Sequence, residues 1–229
     1  MYKHLFLLIS ILFSLSSPCV HAERYYFQHL GLKNKLSQSS VLCITQDRNG
    51  FMWFGTKDGL NRYDGSNFRI FKHNHSNPHS LGNNNVNSLH ENKDGKLWIG
   101  TDDGIYIYDP LTETFSKLTC KSQDSLCITQ PIVQITTDTQ KKHLDSSKNP
   151  KAFSMFDNDR QTLTHYAIPD AHLLSSICID QQNAVWIGYN GKGLYYTDDH
   201  FQNFRLFQTQ EGKNLFTDDQ IFKIFPRTA

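Results

Sequence analysis

This sequence predicts an all-β chain built from repeated four-stranded antiparallel units, and three observations predict it. Nearly one phrase occurs three times: Trp53-Phe54-Gly55-Thr56, Trp98-Ile99-Gly100-Thr101 and Trp186-Ile187-Gly188-Tyr189. Each is followed, ten residues after its Trp, by a tyrosine: Tyr63, Tyr108 and Tyr196. The Trp intervals are 45 and 88 residues, one period and close to two. A period of that length fits one four-stranded blade, so the architecture read from the sequence is a β-propeller. About four and a half blades are present, an incomplete ring. With 13% aromatic and 38% hydrophobic residues, the composition suits a globular β protein.

The elements follow in order. Lys3 and His4 precede an apolar run over residues 5–15, and a polar stretch ends in Val20-His21-Ala22. That is the pattern of a secretory signal peptide, 1–22, with cleavage after Ala22. The run is 11 residues, too short for a bilayer that needs ~20. Removing it takes away Lys3 and no acid, leaving 22 Lys+Arg against 22 Asp+Glu. A mature chain of zero net charge has no general attraction to nucleic acid or anionic membrane.

Residues 23–229 then read as the partial propeller. The blades fall at about 41–72, 86–118, 132–166 and 174–207, with the start of a fifth at 219–225. In the first, Val41-Leu42-Cys43-Ile44 is the inner strand and Asp47-Arg48-Asn49-Gly50 the hairpin turn into the Trp strand. Asp94-Gly95 repeats the turn, and Asn183 replaces the glycine in Asp180-Gln181-Gln182-Asn183. Asn is the best non-glycine residue for a left-handed position. A second glycine turn follows each Trp strand, at Asp58-Gly59, Asp103-Gly104 and Asn190-Gly191-Lys192-Gly193. Third strands reach Tyr63, Tyr108 and Tyr196, and outer strands lie at 67–71, 114–118 and 203–207. The unit between Trp98 and Trp186 has lost its Trp, with Leu144-Asp145-Ser146-Ser147 in its place, and is expected to be the least regular.

Four cysteines remain after the signal segment. Cys120 and Cys127 flank a short polar connection and are a candidate disulfide, while Cys43 and Cys178 sit in apolar strands and read as buried thiols. The histidines of 72–79, a blade connector, read as a solvated loop rather than a metal site. No cofactor motif and no paired carboxylates across a cleft stand out. The repeating acids, Asp47, Asp94, Asp180, Asp58 and Asp103, are explained as turn caps. The indoles are expected between blades, with use as sugar platforms the alternative.

The phrase running from Phe51 through Trp53, Gly55, Gly59 and Tyr63 to Asp64 resembles the two-component regulator propeller repeat. So do the phrase from Asp94 to Thr101 and the connector Ser80-Leu81-Gly82-Asn83-Asn84-Asn85-Val86. Trp98, Gly100, Gly104 and Tyr108 stand at the same repeat positions, and Trp186, Gly188 and Tyr196 do so again with Gly193 one residue later in its turn. The resemblance implies the exported sensor region of a hybrid two-component histidine kinase and response regulator. Such proteins carry about fourteen repeats in two propellers. A transmembrane helix, kinase, receiver and DNA-binding domain follow, so this chain reads as a truncated product or fragment. The implied ligand is an oligosaccharide, the implied partners are the second propeller and kinase, and the implied location is the periplasm. In the family the segment around residues 25–30 is the outer strand that closes the last blade. Four and a half blades leave an open arc, whose uncovered ends favour dimerisation or other association. Ligands would meet rim loops that depart from the repeat, which selects Arg62, Tyr189 and Asn190. Two other readings stay open: a propeller-scaffold enzyme, a lyase or glycosidase, and a protein-interaction platform.

Overall fold

The computed structural model describes residues 26–119, 131–137, 143–147, 152–157, 162–167, 174–191, 193–198, 203–207 and 221–224. The signal segment and the Cys120–Cys127 pair lie outside the described residues.

In the first, second and fourth blades the hairpin between the first two strands holds one left-handed residue, Gly50 (φ 86°), Gly95 (φ 84°) and Asn183 (φ 65°). Strands on either side of such turns pair into blades. The first is β1 (Val41–Gln46), β2 (Met52–Thr56), β3 (Gly59–Tyr63) and β4 (Phe68–Phe71). The second is β5 (Val86–Glu91), β6 (Leu97–Thr101), β7 (Gly104–Asp109) and β8 (Thr114–Lys117). The third is β9 (Ile132–Thr137), β10 (His143–Ser147), β11 (Ala152–Asp157) and β12 (Thr162–Ala167). The fourth is β13 (Leu174–Ile179), β14 (Val185–Tyr189), β15 (Gly193–Thr197) and the two-residue β16 (Arg205–Leu206). All pairings are antiparallel between sequence neighbours, so the predicted all-β architecture of four-stranded blades is the observed one.

The turn acids divide into two kinds. Asp47 Oδ1 accepts from the N–H groups of Asn49 (2.9 Å) and Phe51 (3.0 Å), and its Oδ2 accepts from the indole Nε1 of Trp53 at 2.7 Å. Asp180 repeats this with Gln182, Ala184 and Trp186, the indole bond again 2.7 Å. The clasp joins the turn to the Trp six residues on. Asp94 is not its equivalent: it stands two residues later, where Asn49 stands in the first blade, and accepts only from Lys96 N. Asp58 and Asp103 do not cap their turns either. Thr56 and Thr101 hydroxyls accept from the Asp58 and Asp103 N–H groups and donate to the carbonyls of Gly59 and Gly104. The freed carboxylates pair outward, Asp58 with Lys72 (2.5 Å) and Asp103 with Lys117 (2.9 Å).

The Trp-x-Gly phrase has a packing reason. A Cβ on Gly55 would lie 2.6 Å from Val86 Cγ1 and 2.9 Å from Val86 O. One on Gly100 would meet Ile132 at 2.8 Å, and one on Gly188 would meet Ile221 at 2.5 Å. Each glycine is thus where the first inner-strand residue of the next blade presses in, and no side chain fits there. Ile221 occupies the position of Val86 and Ile132, so residues 221–224 run along the fourth blade as an inner segment of a fifth.

The core lies between blades. Trp53 and Leu60 pack on Leu97, Ile99, Tyr106, Tyr108 and Phe115. Trp98 and Ile105 pack on Ile132, Ile135 and Phe156. Phe153 and Met155 pack on Ile177, Val185, Ile187 and Tyr189. Trp53 meets Tyr108 at 5.2 Å and Trp98 meets Phe156 at 5.6 Å between ring centroids, while Trp186 stacks on Tyr196 at 5.1 Å. Trp53 and Trp98 are buried and serve as inter-blade core, whereas Trp186 is half-buried and its ring partners, Tyr196 and Phe207, belong to its own blade.

The arc is open at the first blade. Its row Ile44, Phe54, Asn61 and Ile70 corresponds to Leu89, Ile99, Tyr106 and Lys117, which in the second blade faces the first. Here Ile44 is 57% and Ile70 41% exposed. Asn61 alone is covered: its Oδ1 accepts from Ser37 N at 2.9 Å and its Nδ2 donates to Ser37 Oγ at 2.8 Å. Residues 26–30 form no strand, and Tyr26 and Phe27 lie exposed, so this segment does not close a blade.

Candidate functional site

The inner strands converge on an axial cavity of about 570 Å³, in the range of small-molecule sites. Leu42, Ile44, Leu89 and Ile135 form its apolar wall, and Asn87, Gln134 and Lys223 are polar groups in its lining. A shared irregularity places these residues. In β1, β5 and β13 the pairing with the next strand slips after the first residue, and β9 slips against β10 at the same point. The slip turns the third inner-strand residue toward the neighbouring blade.

That third residue is Cys43, Ser88, Gln134 and Ser176 in successive blades, and each ties its strand to the next. Cys43 Sγ lies 3.7 Å from Val86 O, and Ser88 Oγ accepts from Ile135 N at 2.9 Å. Gln134 Nε2 donates to Ile177 O at 2.7 Å, and Ser176 Oγ accepts from Ile224 N at 3.0 Å. Lys223 holds the fifth position of this series, two residues after Ile221. Its Nζ donates to Gln134 Oε1 at 3.0 Å. Burial pushes the Lys223 ammonium below the usual lysine range, against the opposing influence of the Cys43 and Cys178 thiols. Burial likewise pushes the Cys43 thiol up to about 12, although the Gly55 backbone and the Lys223 charge favour its thiolate. Both cysteines are free, Cys178 buried and Cys43 half-buried.

The three rim candidates do not come together. Arg62 lies on the seam of the first two blades, its guanidinium 4.7 Å from the Phe51 ring and 5.8 Å from the Trp53 ring. Its Nη1 is 3.4 Å from Tyr108 Oη and 3.6 Å from Glu113 Oε1. Arg69 also holds Glu113, at 2.5 Å, and its hydrogen bond is the main reason that carboxylate sits below the usual range. Tyr189 is buried in the cluster between the third and fourth blades, edge-on to Tyr195 at 5.2 Å. Asn190, next to it, is exposed. The inner-strand series escaped sequence reasoning although its spacing, one member per repeat, was visible. What was missing was the slip that aims each member at its neighbour.

On the turn edge, Asp103 gathers Tyr106 Oη (2.8 Å) and Lys117 Nζ (2.9 Å). Burial opposes its charge, and these two partners outweigh that and hold it below the usual carboxylate range. His73 Nδ1 lies 2.9 Å from Leu81 O and its Nε2 3.1 Å from His75 Nδ1. Among the described residues, no group of three or more His, Cys, Asp or Glu side chains is arranged to hold a metal ion.

Residues 35–58 and 80–103 match the family described as two component regulator propeller. A histidine kinase P4 of Formosa agariphila is 42% identical over 66 residues, 28% of this chain and 5% of that protein. The extracellular domain of a hybrid two-component system from B. thetaiotaomicron superposes with a TM-score of 0.69 at 26% identity, covering 80% of this chain and 26% of that one. A virginiamycin B lyase from Staphylococcus aureus shares the fold at TM-score 0.57 and 14% identity, over 75% of this chain and 57% of that one. The chain therefore spans about a twentieth of the histidine kinase and about a quarter of the extracellular domain it matches. The repeats in register and the blades they build agree with that match: residues 35–58 and 80–103 of this chain carry the two-component regulator propeller repeat.

Proposed function

We propose that this chain is the extracytoplasmic ligand-sensing propeller of a hybrid two-component signalling protein, and that its ligand is an oligosaccharide. The observation that carries the reading is the likeness, in sequence and in blade geometry together, to the extracellular domain of a hybrid two-component system. Ligand energy would act by biasing the arrangement of blades against the second propeller and so the distant kinase, because a ligand shifts an equilibrium only by its differential affinity for the two states. Of the three rim candidates, the exposed Asn190 and the half-buried Arg62 remain proposed ligand contacts, Tyr189 being buried between blades, and a dimer is the proposed assembly. The apolar run over 5–15 with Val20-His21-Ala22 supports export to the periplasm, with Glu23 as the new N-terminus.

The test is calorimetric titration of the purified chain with a panel of oligosaccharides, with chromatography of the sugars after incubation. Saturable binding with the sugars recovered intact supports sensing. Shortened or eliminated products would overturn it in favour of a lyase or glycosidase, and no binding across the panel would overturn the ligand class. N-terminal sequencing of the exported protein checks the cleavage site.

A further inference from the structure

We infer that His73 and His75 form a two-imidazole chelate for a late first-row divalent ion, Cu²⁺ ahead of Ni²⁺ and Zn²⁺, on the connector between the first two blades. The site does not rest on the oligosaccharide reading. Residues 72–79 stand between the two stretches that match the repeat, 35–58 and 80–103. The sequence reads them as a solvated loop, and His79 is exposed as that reading expects. His73, half-buried, and His75, exposed, are instead brought together.

His73 is fixed at its backbone and at its ring. Its backbone N–H donates to Asn84 Oδ1 at 2.7 Å, and its Nδ1 lies 2.9 Å from Leu81 O. A carbonyl oxygen can only accept, so Nδ1 carries the proton and Nε2 of the neutral ring carries the lone pair. The Leu81 side chain is fully buried, which anchors the carbonyl that sets this tautomer. A metal-ligating histidine is held in the same way, its second nitrogen donating to a backbone carbonyl. The free Nε2 is 3.1 Å from His75 Nδ1. Two nitrogens that share one ion at ~2.0–2.1 Å, at a right angle, stand about 3 Å apart. The competing arrangement is a hydrogen bond from His75 Nδ1 to His73 Nε2. A straight N–H···N bond would set the ring centroids about 5 Å apart or more. They lie 4.4 Å apart, with the ring planes at 83°. The two nitrogens therefore meet at an angle, as donors to a shared ion do.

The ion class follows from the donors. Imidazole nitrogen suits late first-row ions, and affinity for such a site peaks at Cu²⁺. Donors near a right angle fit a tetragonal ion better than tetrahedral zinc. Among the described residues no third His, Cys, Asp or Glu side chain completes the set, so water would fill the remaining positions.

The experiment joins two measurements on the chain after treatment with a chelator. One is calorimetric titration with Ni²⁺, which the free Cys43 and Cys178 thiols do not reduce. The other is electron paramagnetic resonance with one equivalent of Cu²⁺. One ion per chain at micromolar Kd, and a copper signal split by two imidazole nitrogens, are expected. His75→Gln, at an exposed position, should weaken binding at least about tenfold, because one of two linked ligands is lost. It should also remove the two-nitrogen splitting. His73→Gln should do the same, and its urea midpoint separates loss of a ligand from loss of the fold. His79→Gln, on the same connector, should change neither reading. Binding that survives His75→Gln, a copper signal without two nitrogens, Zn²⁺ displacing Cu²⁺, or no binding below millimolar metal would each overturn the inference. No sugar enters these titrations, so their result stands apart from that of the oligosaccharide panel.

Discussion

Replacing Asp47 by alanine should damage the fold far more than replacing Asp94, though both are turn acids in hairpins of the same kind. Asp47 accepts three hydrogen bonds at 2.9, 3.0 and 2.7 Å. Two of the donors are backbone N–H groups near the surface, which water can satisfy once the carboxylate is gone. The third is the indole of Trp53, which is 2% exposed, and water does not reach it. A hydrogen bond to a charged acceptor contributes about 1.5–3 kcal/mol, and a buried donor left without a partner costs about 1–3 kcal/mol. Taken together, Asp47→Ala should lower stability by about 2–4 kcal/mol. Asp94 accepts one bond, from Lys96 N at 3.1 Å on the surface, and Asp94→Ala should cost under about 1 kcal/mol. With a urea slope of about 2 kcal/mol/M the two variants should differ in midpoint by about 1 M. Asp47→Asn keeps the oxygen that serves the turn but turns an amide N–H toward the indole N–H, so it should recover only part of the loss. A double-mutant cycle with Trp53→Phe isolates the indole bond. Equal midpoints for Asp47→Ala and Asp94→Ala, or a cycle with no coupling, would refute the clasp as a source of stability.

Gly55→Ala should cost about 1–3 kcal/mol or more, because the added methyl meets Val86 carbonyl oxygen at 2.9 Å and the first two blades must separate; urea unfolding checks this. Gly50→Asn should be nearly neutral, since Asn183 already holds the same turn position at φ 65°, whereas Gly50→Val should cost about 1–2 kcal/mol. Cys43 is held as the neutral thiol up to about 12 when folded, against 9.0 for a free thiol. The folded chain therefore keeps a proton that the unfolded chain releases, and stability falls as pH rises from about 9 toward 12. At pH 10 this effect is about 1 kcal/mol, and Cys43→Ala should flatten that part of the stability–pH curve. Arg62→Ala should lower stability by about 1 kcal/mol through loss of its stacking on Phe51 and its tie to Tyr108. A parallel sugar titration of the same variant tells whether Arg62 also meets ligand.

The sequence by itself determined the strands, the period and the turns, because each of these is a local matter. A left-handed turn residue has to be Gly or Asn, and Gly50, Gly95 and Asn183 could be recognised without any partner in view. Alternating apolar residues mark a strand face wherever that face ends up. What the tertiary structure decided is which of several similar residues does which task. Asp47 and Asp94 look alike in a hairpin phrase, yet only Asp47 reaches an indole. Asp58 and Asp103 read as caps until Thr56 and Thr101 are seen to do the capping. Gly55 bears no left-handed burden, and its need for a bare Cα comes from Cys43, opposite it in its own blade, and from Val86 in the next blade. Cys43, Ser88, Gln134 and Ser176 form a series only once the blades stack, since their partners lie 43 to 48 residues away in the chain. Local propensity acts over a few bonds, whereas an axial cavity and a seam between sheets exist only when residues one repeat apart are pressed together. That pressing is the work of buried apolar area between blades, which dictates that the faces meet but leaves to packing which polar atom each one presents to the axis.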